Sequence, residues 1–378
     1  MAAYVLGMRT RVTDMFGVEF PIFAFSHCRD VVAAVSRAGG MGVLGALYFT
    51  PEELEMELKW IDDHVDGRPY GVDVVMPASY AGADLGVDSA EDLLARLQGM
   101  IPDGHRAFVD KLLEEHGVPP LSAGGEAGRA LLGWTDATAR PQVEVALRHP
   151  IALLANALGP PPADVVEQAH AHGVKVAALA STPRHAIKQV EVGVDVVVAQ
   201  GTEAGGHTGE ISTMVLIPQV VDAVDVPVLA AGGIGNGRQM AAGMALGAEG
   251  VWTGSIWLTV EEADTPEMAR RRILEATSRD TVRSRSWTGK PARLLKNEWT
   301  DAWEAADSPG TLPMPLQFML VSDALRRIGR SDAAELATFP AGQIIGAMNS
   351  VRPARDVVFG LVEEYVETME RLGRLTGE

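Results

Sequence analysis

The sequence predicts a (β/α)8 barrel, an α/β fold of the TIM-barrel type, carrying an additional, mostly helical cap. Three observations carry that reading. Short apolar runs recur along the 378 residues, most of the segments between them carry helix signals, and unusual polar residues gather where the runs end. Continuous apolar runs without in–out alternation are what strands covered on both faces look like. Strand and helix in alternation argue for a parallel sheet with helical crossovers, and eight such strands close into a barrel.

The runs are "PIFAF" (21–25), "GVLGA" (42–46), "YGVDVVM" (70–76), "IALLANAL" (151–158), "VKVAALAS" (174–181), "VDVVVAQG" (194–201), "PVLAAGG" (227–233) and "GVWTGS" (250–255). Between them, "PADVVEQAHAHG" closes at Gly173. In "STPRHAIKQVEVG", Thr182 suits an N-cap, Pro183 the first helical position and Gly193 the C′ position. Two parts depart from the repeat. Residues 78–149 hold the helical stretches "SAEDLLARLQGM" and "DGHRAFVDKLLEEHG" and the Gly-rich "SAGGEAGRALLGW". Residues 259–378 read as mostly helical, broken by loops such as "SPGTLPMP". The expected division is a barrel from 1–77 and 150–258, with 78–149 and 259–378 forming a cap on the substrate side.

Composition narrows the partners. The chain is 47% hydrophobic and 22% charged, ordinary for a globular protein with a full core. A net charge of −18 repels phosphate backbones and anionic lipid, which disfavours nucleic acid and membrane surfaces. No apolar run reaches the roughly 18 residues that span a bilayer, and the start does not read as a signal peptide. The single cysteine, Cys28, forms no intramolecular disulfide and reads as a small buried hydrophobe. A cytoplasmic protein is expected.

Barrel active sites form at the carboxyl ends of the strands. There the sequence places "SHCRD" (26–30), "GTEAGGHTG" (201–209), "GGIGNG" (232–237) and "TGS" (253–255). Bare Gly232 and Gly233 let backbone N–H groups approach an anion, and the Thr253 and Ser255 hydroxyls add donors, so this is a candidate phosphate site. The plainer reading makes the glycines turn residues. "GGIGNG" is not a dinucleotide fingerprint, since its glycines alternate. His207 is either a loop histidine or, placed among glycines at a strand end, a proton-transfer group. Glu203 either orients it or is solvated. His170 and His172 point to different helix faces, and no spacing suggests a metal.

"AQGTEAGGHTG", "PVLAAGGIGNGRQMAAGMALGAEGVWTGS" and "SRDTVRSRSWTGKPARLLKN" together resemble the nitronate monooxygenase, or 2-nitropropane dioxygenase-like, family, with similarity from Pro21 to about Asn297. The resemblance implies a barrel holding FMN non-covalently without metal, its phosphate in the loops after the last two strands. It implies His207 as the catalytic acid or base. Gln200, Gly205, Gly206, Gly233 and the stretch Trp252, Thr253, Gly254, Ser255 become flavin contacts, together with Gly232. Three ring-side positions depart from the family pattern: Phe25, Ser26 and His27 replace Ala-Pro-Met, Asp73 replaces an Asn, and Trp252 replaces a Gln. Asp73 places a carboxyl beside the flavin, charged unless it hydrogen-bonds as a neutral acid, and His27 is a candidate for compensating positive charge.

The leading expectation is therefore an FMN-dependent nitronate monooxygenase acting on small alkyl nitronates with O2 and giving carbonyl compounds and nitrite. A rival is a flavin-dependent reductase of enoyl or keto thioesters using NAD(P)H, with Arg270–Arg272 or Lys290–Arg293 meeting a CoA phosphate or forming a solvated face. A third class is a flavin-binding protein without turnover. A homodimer is entertained as the assembly.

Overall fold

The computed structural model describes residues 8–77, 90–120, 136–331 and 333–376. Eight parallel strands close into a barrel: β1 (Ile22–Ser26), β2 (Met41–Gly45), β3 (Tyr70–Asp73), β4 (Leu153–Asn156), β5 (Lys175–Ala180), β6 (Val196–Gln200), and, after a two-residue strand β7 (Gly206–His207), β8 (Val228–Ala231) and β9 (Gly250–Thr253). Closure is made by β1 pairing with β9, Ile22 opposite Val251. Each predicted apolar run overlaps one of these strands, six of them enclosing it and those at 21–25 and 42–46 offset by one residue. β7 lies outside the barrel. It forms a small antiparallel sheet with β10 (Thr281–Ser284) and β11 (Ala292–Leu295), in the order β10-β11-β7.

Alternate residues of the strands fill the barrel, among them Phe23, Val43, Leu153, Val198, Leu229 and Trp252. Val12 and Phe16 of helix α1 (Arg11–Phe16) join this cluster, and the Phe16 ring meets Phe23 edge-on at 5.5 Å. The helix is tied by Arg11 to Asp225 O and Glu249, in the loops that precede β8 and β9. It therefore stoppers the amino end of the barrel and leaves the carboxyl end for chemistry.

The outer ring contains α2 (Arg29–Arg37), α3 (Pro51–His64), α7 (Ala163–Ala171), α8 (Pro183–Glu191), α9 (Thr213–Val221) and α10 (Gly237–Ala245). The α8 boundaries follow the sequence signals: Thr182 Oγ1 accepts from His185 N at 3.2 Å, Pro183 opens the helix, and Gly193 lies beyond it at φ 96°. Two further helices join the ring from segments expected in the cap. Helix α6 (Asp136–Ala146) packs on α3, and buried Gln142 donates from Nε2 to Ala46 O and Phe49 O at 2.9 and 2.7 Å. Helix α14 (Ala354–Thr376) runs along α10 and α2, so closely that Gly237 has no space for a Cβ. The boundaries 78–149 and 259–378 thus enclose two barrel helices that long intervening excursions separate from their strands.

What remains of those segments has its own core. Helices α4 (Ala90–Gly99), α5 (Asp103–Glu115), α12 (Glu298–Glu304) and α13 (Leu316–Gly329) bury Leu97, Leu113, Trp299, Trp303 and Val321 together. Helix α11 (Glu267–Glu275) lies between this unit and the barrel, sending Ile273 into the main core and Met268 against the cap core. The Gly-rich stretch at 122–134 lies outside the described residues. Among the described residues no helix is long and apolar enough to cross a membrane.

Candidate active site

A cavity of about 520 Å³ opens at the carboxyl end of the barrel. Its wall includes Phe25, Ser26 and His27 after β1, Asp73 at the end of β3, and Gln200 at the end of β6. Gly205, Gly206 and His207 line it from the small sheet side, Gly232 and Gly233 after β8, and Trp252, Thr253, Gly254 and Ser255 at and after β9. All the site residues expected from the sequence are thus brought to one place.

The loops after β8 and β9 present backbone. Gly233 adopts φ 71°, a left-handed conformation that glycine alone takes without strain. The N–H groups of Gly233, Ile234 and Gly254 find no acceptor among the described residues. Unmatched donors converging at a cavity wall form an anion cradle, because burying them without an acceptor costs free energy. Ser255 adds to it: its Oγ accepts from Gly342 N at 2.8 Å, which leaves the hydroxyl proton to donate. Thr253 does not. Its hydroxyl donates to Phe23 O at 3.1 Å and accepts from Trp257 Nε1 at 3.0 Å, so the expected phosphate donor is consumed in holding β9 to β1. The amino end of α10 is also engaged, since Gly237 N donates to Glu364 Oε2 of α14 at 2.8 Å and Gly235 N to Gln239 Oε1 at 2.9 Å.

The glycines around His207 have separate causes. A Cβ on Gly205 would lie 2.7 Å from Gly342 N, so this position is bare to admit the 341–342 backbone rather than a flat ligand. Gly206 sits at φ 72° with nothing near its missing Cβ, and it faces the cavity. His207 is fixed by the pairing of β7 with Ala292 and Arg293 of β11, and its Nε2 is hydrogen-bonded to Thr288 Oγ1 at 2.7 Å. Burial, reinforced by the positive charge of Lys290, pushes the imidazole pKa down to about 4. The ring is neutral at pH 7 and competent to accept a proton. Glu203 neither orients it nor points to water. Its carboxylate accepts from Thr213 N at 2.9 Å and Thr213 Oγ1 at 2.8 Å, which anchors the start of α9.

On the opposite wall, Trp252 stacks between Phe23 and Phe25 at centroid distances of 6.3 and 6.4 Å. His27 donates from Nδ1 to Gly45 O at 2.9 Å, and burial lowers its pKa. Burial thus works against the compensating positive charge for which His27 is a candidate. Asp73 is 3% exposed, and burial pushes its pKa up to about 7. Cys28 is a buried thiol hydrogen-bonded to Glu262 O at 3.2 Å, its pKa raised by burial, as a structural cysteine should be.

Several wall residues escaped the sequence reading. Thr288 lies inside "SRDTVRSRSWTGKPARLLKN", so the signal was present, but nothing marked its hydroxyl as the partner of His207. Trp287 lies in the same segment, Leu158 ends the run 151–158, and Tyr48 and Gly342 line the cavity from loops whose local sequence carries no chemical pattern.

A family model described as nitronate monooxygenase matches residues 9–364. The chain belongs to the nitronate monooxygenase family. It is similar to a Mycobacterium tuberculosis protein described as "Putative monooxygenase", 55% identical over 97% of this chain and 98% of that one. A "Probable nitronate monooxygenase" of Staphylococcus aureus is 28% identical over 96% and 99% of the two chains. Among solved structures, a nitroalkane oxidase from Streptomyces ansochromogenes matches with a TM-score of 0.77 and 28% identity, covering 96% of this chain and 100% of that one. FabK from Thermotoga maritima matches at 0.74 and 26%, covering 97% and 99%. This member of the nitronate monooxygenase family is a flavin-dependent oxidoreductase. Its own residues fit a flavin nucleotide: the cradle of unmatched N–H groups suits a phosphate, and the adjoining apolar wall suits a flat ring.

Proposed function

We propose that the protein is an FMN-dependent nitronate monooxygenase, with the FMN phosphate held by Gly232, Gly233, Ile234, Gly254 and Ser255 and His207 as the catalytic base. The observation that carries this is a neutral, buried imidazole fixed by Thr288 on the wall of the same cavity as the donor cradle. The flavin supplies the one-electron chemistry that joins a nitronate and O2 to give a carbonyl compound and nitrite. His207 removes the α-proton when the substrate arrives as a neutral nitroalkane, and Lys290 adds favourable potential for the nitronate anion. Gln200, Gly206 and Trp252 line the cavity and would border the ring, with Trp252 stacked on Phe23 of the barrel interior. Of the helical unit, α13 reaches the site, its Phe318 packing behind Leu47 and Val75 of the cavity wall.

One observation favours a second reading, reduction of an acyl thioester by NAD(P)H. Leu47, Val75 and Leu158 form an apolar wall backed by Met314 and Phe318, which suits a hydrocarbon tail. Against it, three of the basic residues expected to meet a CoA phosphate are engaged elsewhere. Arg270 donates to Ala263 O at 2.7 Å, Arg272 to Ala337 O at 2.6 Å, and Arg293 to Thr202 O at 2.8 Å. Anaerobic mixing of the FMN-loaded protein with alkyl nitronate, NADH and NADPH in turn decides between them. Rapid bleaching of the flavin by nitronate alone supports the monooxygenase; rapid bleaching by a nicotinamide alone refutes it.

A further inference from the structure

We propose that Asp73 stands in the cavity as a neutral carboxylic acid that donates a hydrogen bond to an acceptor atom of the bound flavin, coupling flavin binding to retention of one proton. The inference rests on the proposed flavin site and adds to it a donor that titrates.

The geometry around Asp73 is unusual for a carboxylate. It is the last residue of β3, buried, and part of the cavity wall. Its strand partners are Gly45 on β2 and Ala155 on β4, neither of which offers a polar side chain. His27, which covers Gly45, spends its Nδ1 proton on the Gly45 carbonyl and has its pKa lowered by burial. Cys28, Tyr48, His207 and Asp264 line the same cavity, yet burial alone accounts for the raised pKa of Asp73. Among the described residues, no cation pairs with this carboxyl and no N–H or O–H group donates to it. A buried charge without a partner is costly, and the inexpensive remedy is to keep the proton.

A flavin ring carries carbonyl oxygens and ring nitrogens with free lone pairs. A neutral acid can donate to one of them, whereas a carboxylate would repel it. Bound flavin therefore raises the pKa of Asp73 further. The sign follows from linkage. Below about pH 7 the acid already holds its proton and binding is at full strength; above it, each pH unit costs up to about tenfold in affinity.

The test uses the full-length apoprotein and FMN, with the dissociation constant read from quenching of FMN fluorescence between about pH 6 and about pH 9. Above about pH 7 the FMN phosphate is largely a dianion and contributes little. From about pH 7 upward the wild-type Kd should rise about fivefold by about pH 8 and about fiftyfold by about pH 9. Asp73→Asn, which retains a donor but cannot ionise, should bind FMN with little pH dependence. Should that variant fail to fold, proton uptake by the wild type decides. Mixing with FMN in weak buffer should take up about one proton per FMN bound at about pH 8.5 and about half of one at about pH 7. A Kd that is flat across the range, an absence of proton uptake, or an equal slope in Asp73→Asn overturns the inference while leaving the flavin site standing. Failure to bind FMN at any pH overturns the flavin site itself, and this inference with it.

Discussion

The two halves of the cavity rim are built from different materials. The half formed after β8 and β9 presents peptide N–H groups and almost no available side-chain chemistry; even Thr253 is spent on the barrel. The half formed at β1 to β3 presents buried side chains whose titration is shifted toward the neutral form: His27 with its pKa lowered, Asp73 protonated up to about pH 7. Backbone donors cannot titrate and survive side-chain substitution, so they suit anchoring. Buried side chains respond to ligand, pH and mutation, so they suit tuning. His207 stands between the two, on a strand of its own.

The comparison breaks most visibly at His207. His207→Asn should lower turnover with nitroalkane by about 10²- to 10⁴-fold, the usual contribution of a positioned base, while leaving FMN affinity within about twofold. In the wild type, kcat/KM should hold level as the pH falls from 7 and decline only near pH 4, where the imidazole takes up its proton. A decline centred near pH 6.5 would mean that the ring is solvated in the working enzyme.

The next largest effect is on stability. Asp73 has a folded pKa of about 7 against 3.8 for a solvated aspartate, so the folded chain keeps a proton that the unfolded chain releases. Its stabilising contribution is full below about pH 4 and is lost as the pH rises to about 7. Between about pH 5 and about pH 7.5 the apoprotein should lose about 2.5 kcal/mol from this group, at about 1.4 kcal/mol per pH unit until the slope fades near pH 7. Urea unfolding of Asp73→Asn at both pH values should lack that component. An unchanged difference would place the carboxyl in contact with water.

On the anchoring side, Gly232→Val introduces a side chain at φ 98°, with its Cβ 2.9 Å from Thr213 Oγ1. It should weaken FMN binding by about tenfold to a hundredfold through the displaced N–H groups, without altering the pH dependence assigned to Asp73. Smallest is Thr288→Val, which should reduce kcat by about tenfold by removing the hydrogen bond that orients His207 Nε2, with FMN affinity unchanged. Thr288→Ser should restore the rate; failure to restore it would assign Thr288 a packing role instead.

The sequence showed the barrel clearly because strands buried on both faces leave unbroken apolar runs, and each run overlaps a strand. Ring helices α6 and α14 were hidden, since long insertions detach them from the strands they follow or precede, and nothing local distinguishes a ring helix from a cap helix. The site was legible as a set of positions but not as a set of roles. Gly205 and Gly206 look alike in sequence, yet one accommodates a backbone and the other faces the cavity. Thr253 and Ser255 look equally able to donate, yet only the serine keeps its proton available. The pairing of His207 with Thr288 depends on a three-stranded sheet whose shortest member is two residues long, too brief for any periodic pattern.

The central claim is that a backbone cradle on the β8–β9 rim anchors the flavin through its phosphate. Titrating the apoprotein with FMN and with riboflavin, which lacks the phosphate, tests it most directly. The account predicts that FMN binds at least about a hundredfold more tightly than riboflavin, consistent with several charge-assisted hydrogen bonds. Equal affinity for the two, or no binding of either, would contradict it.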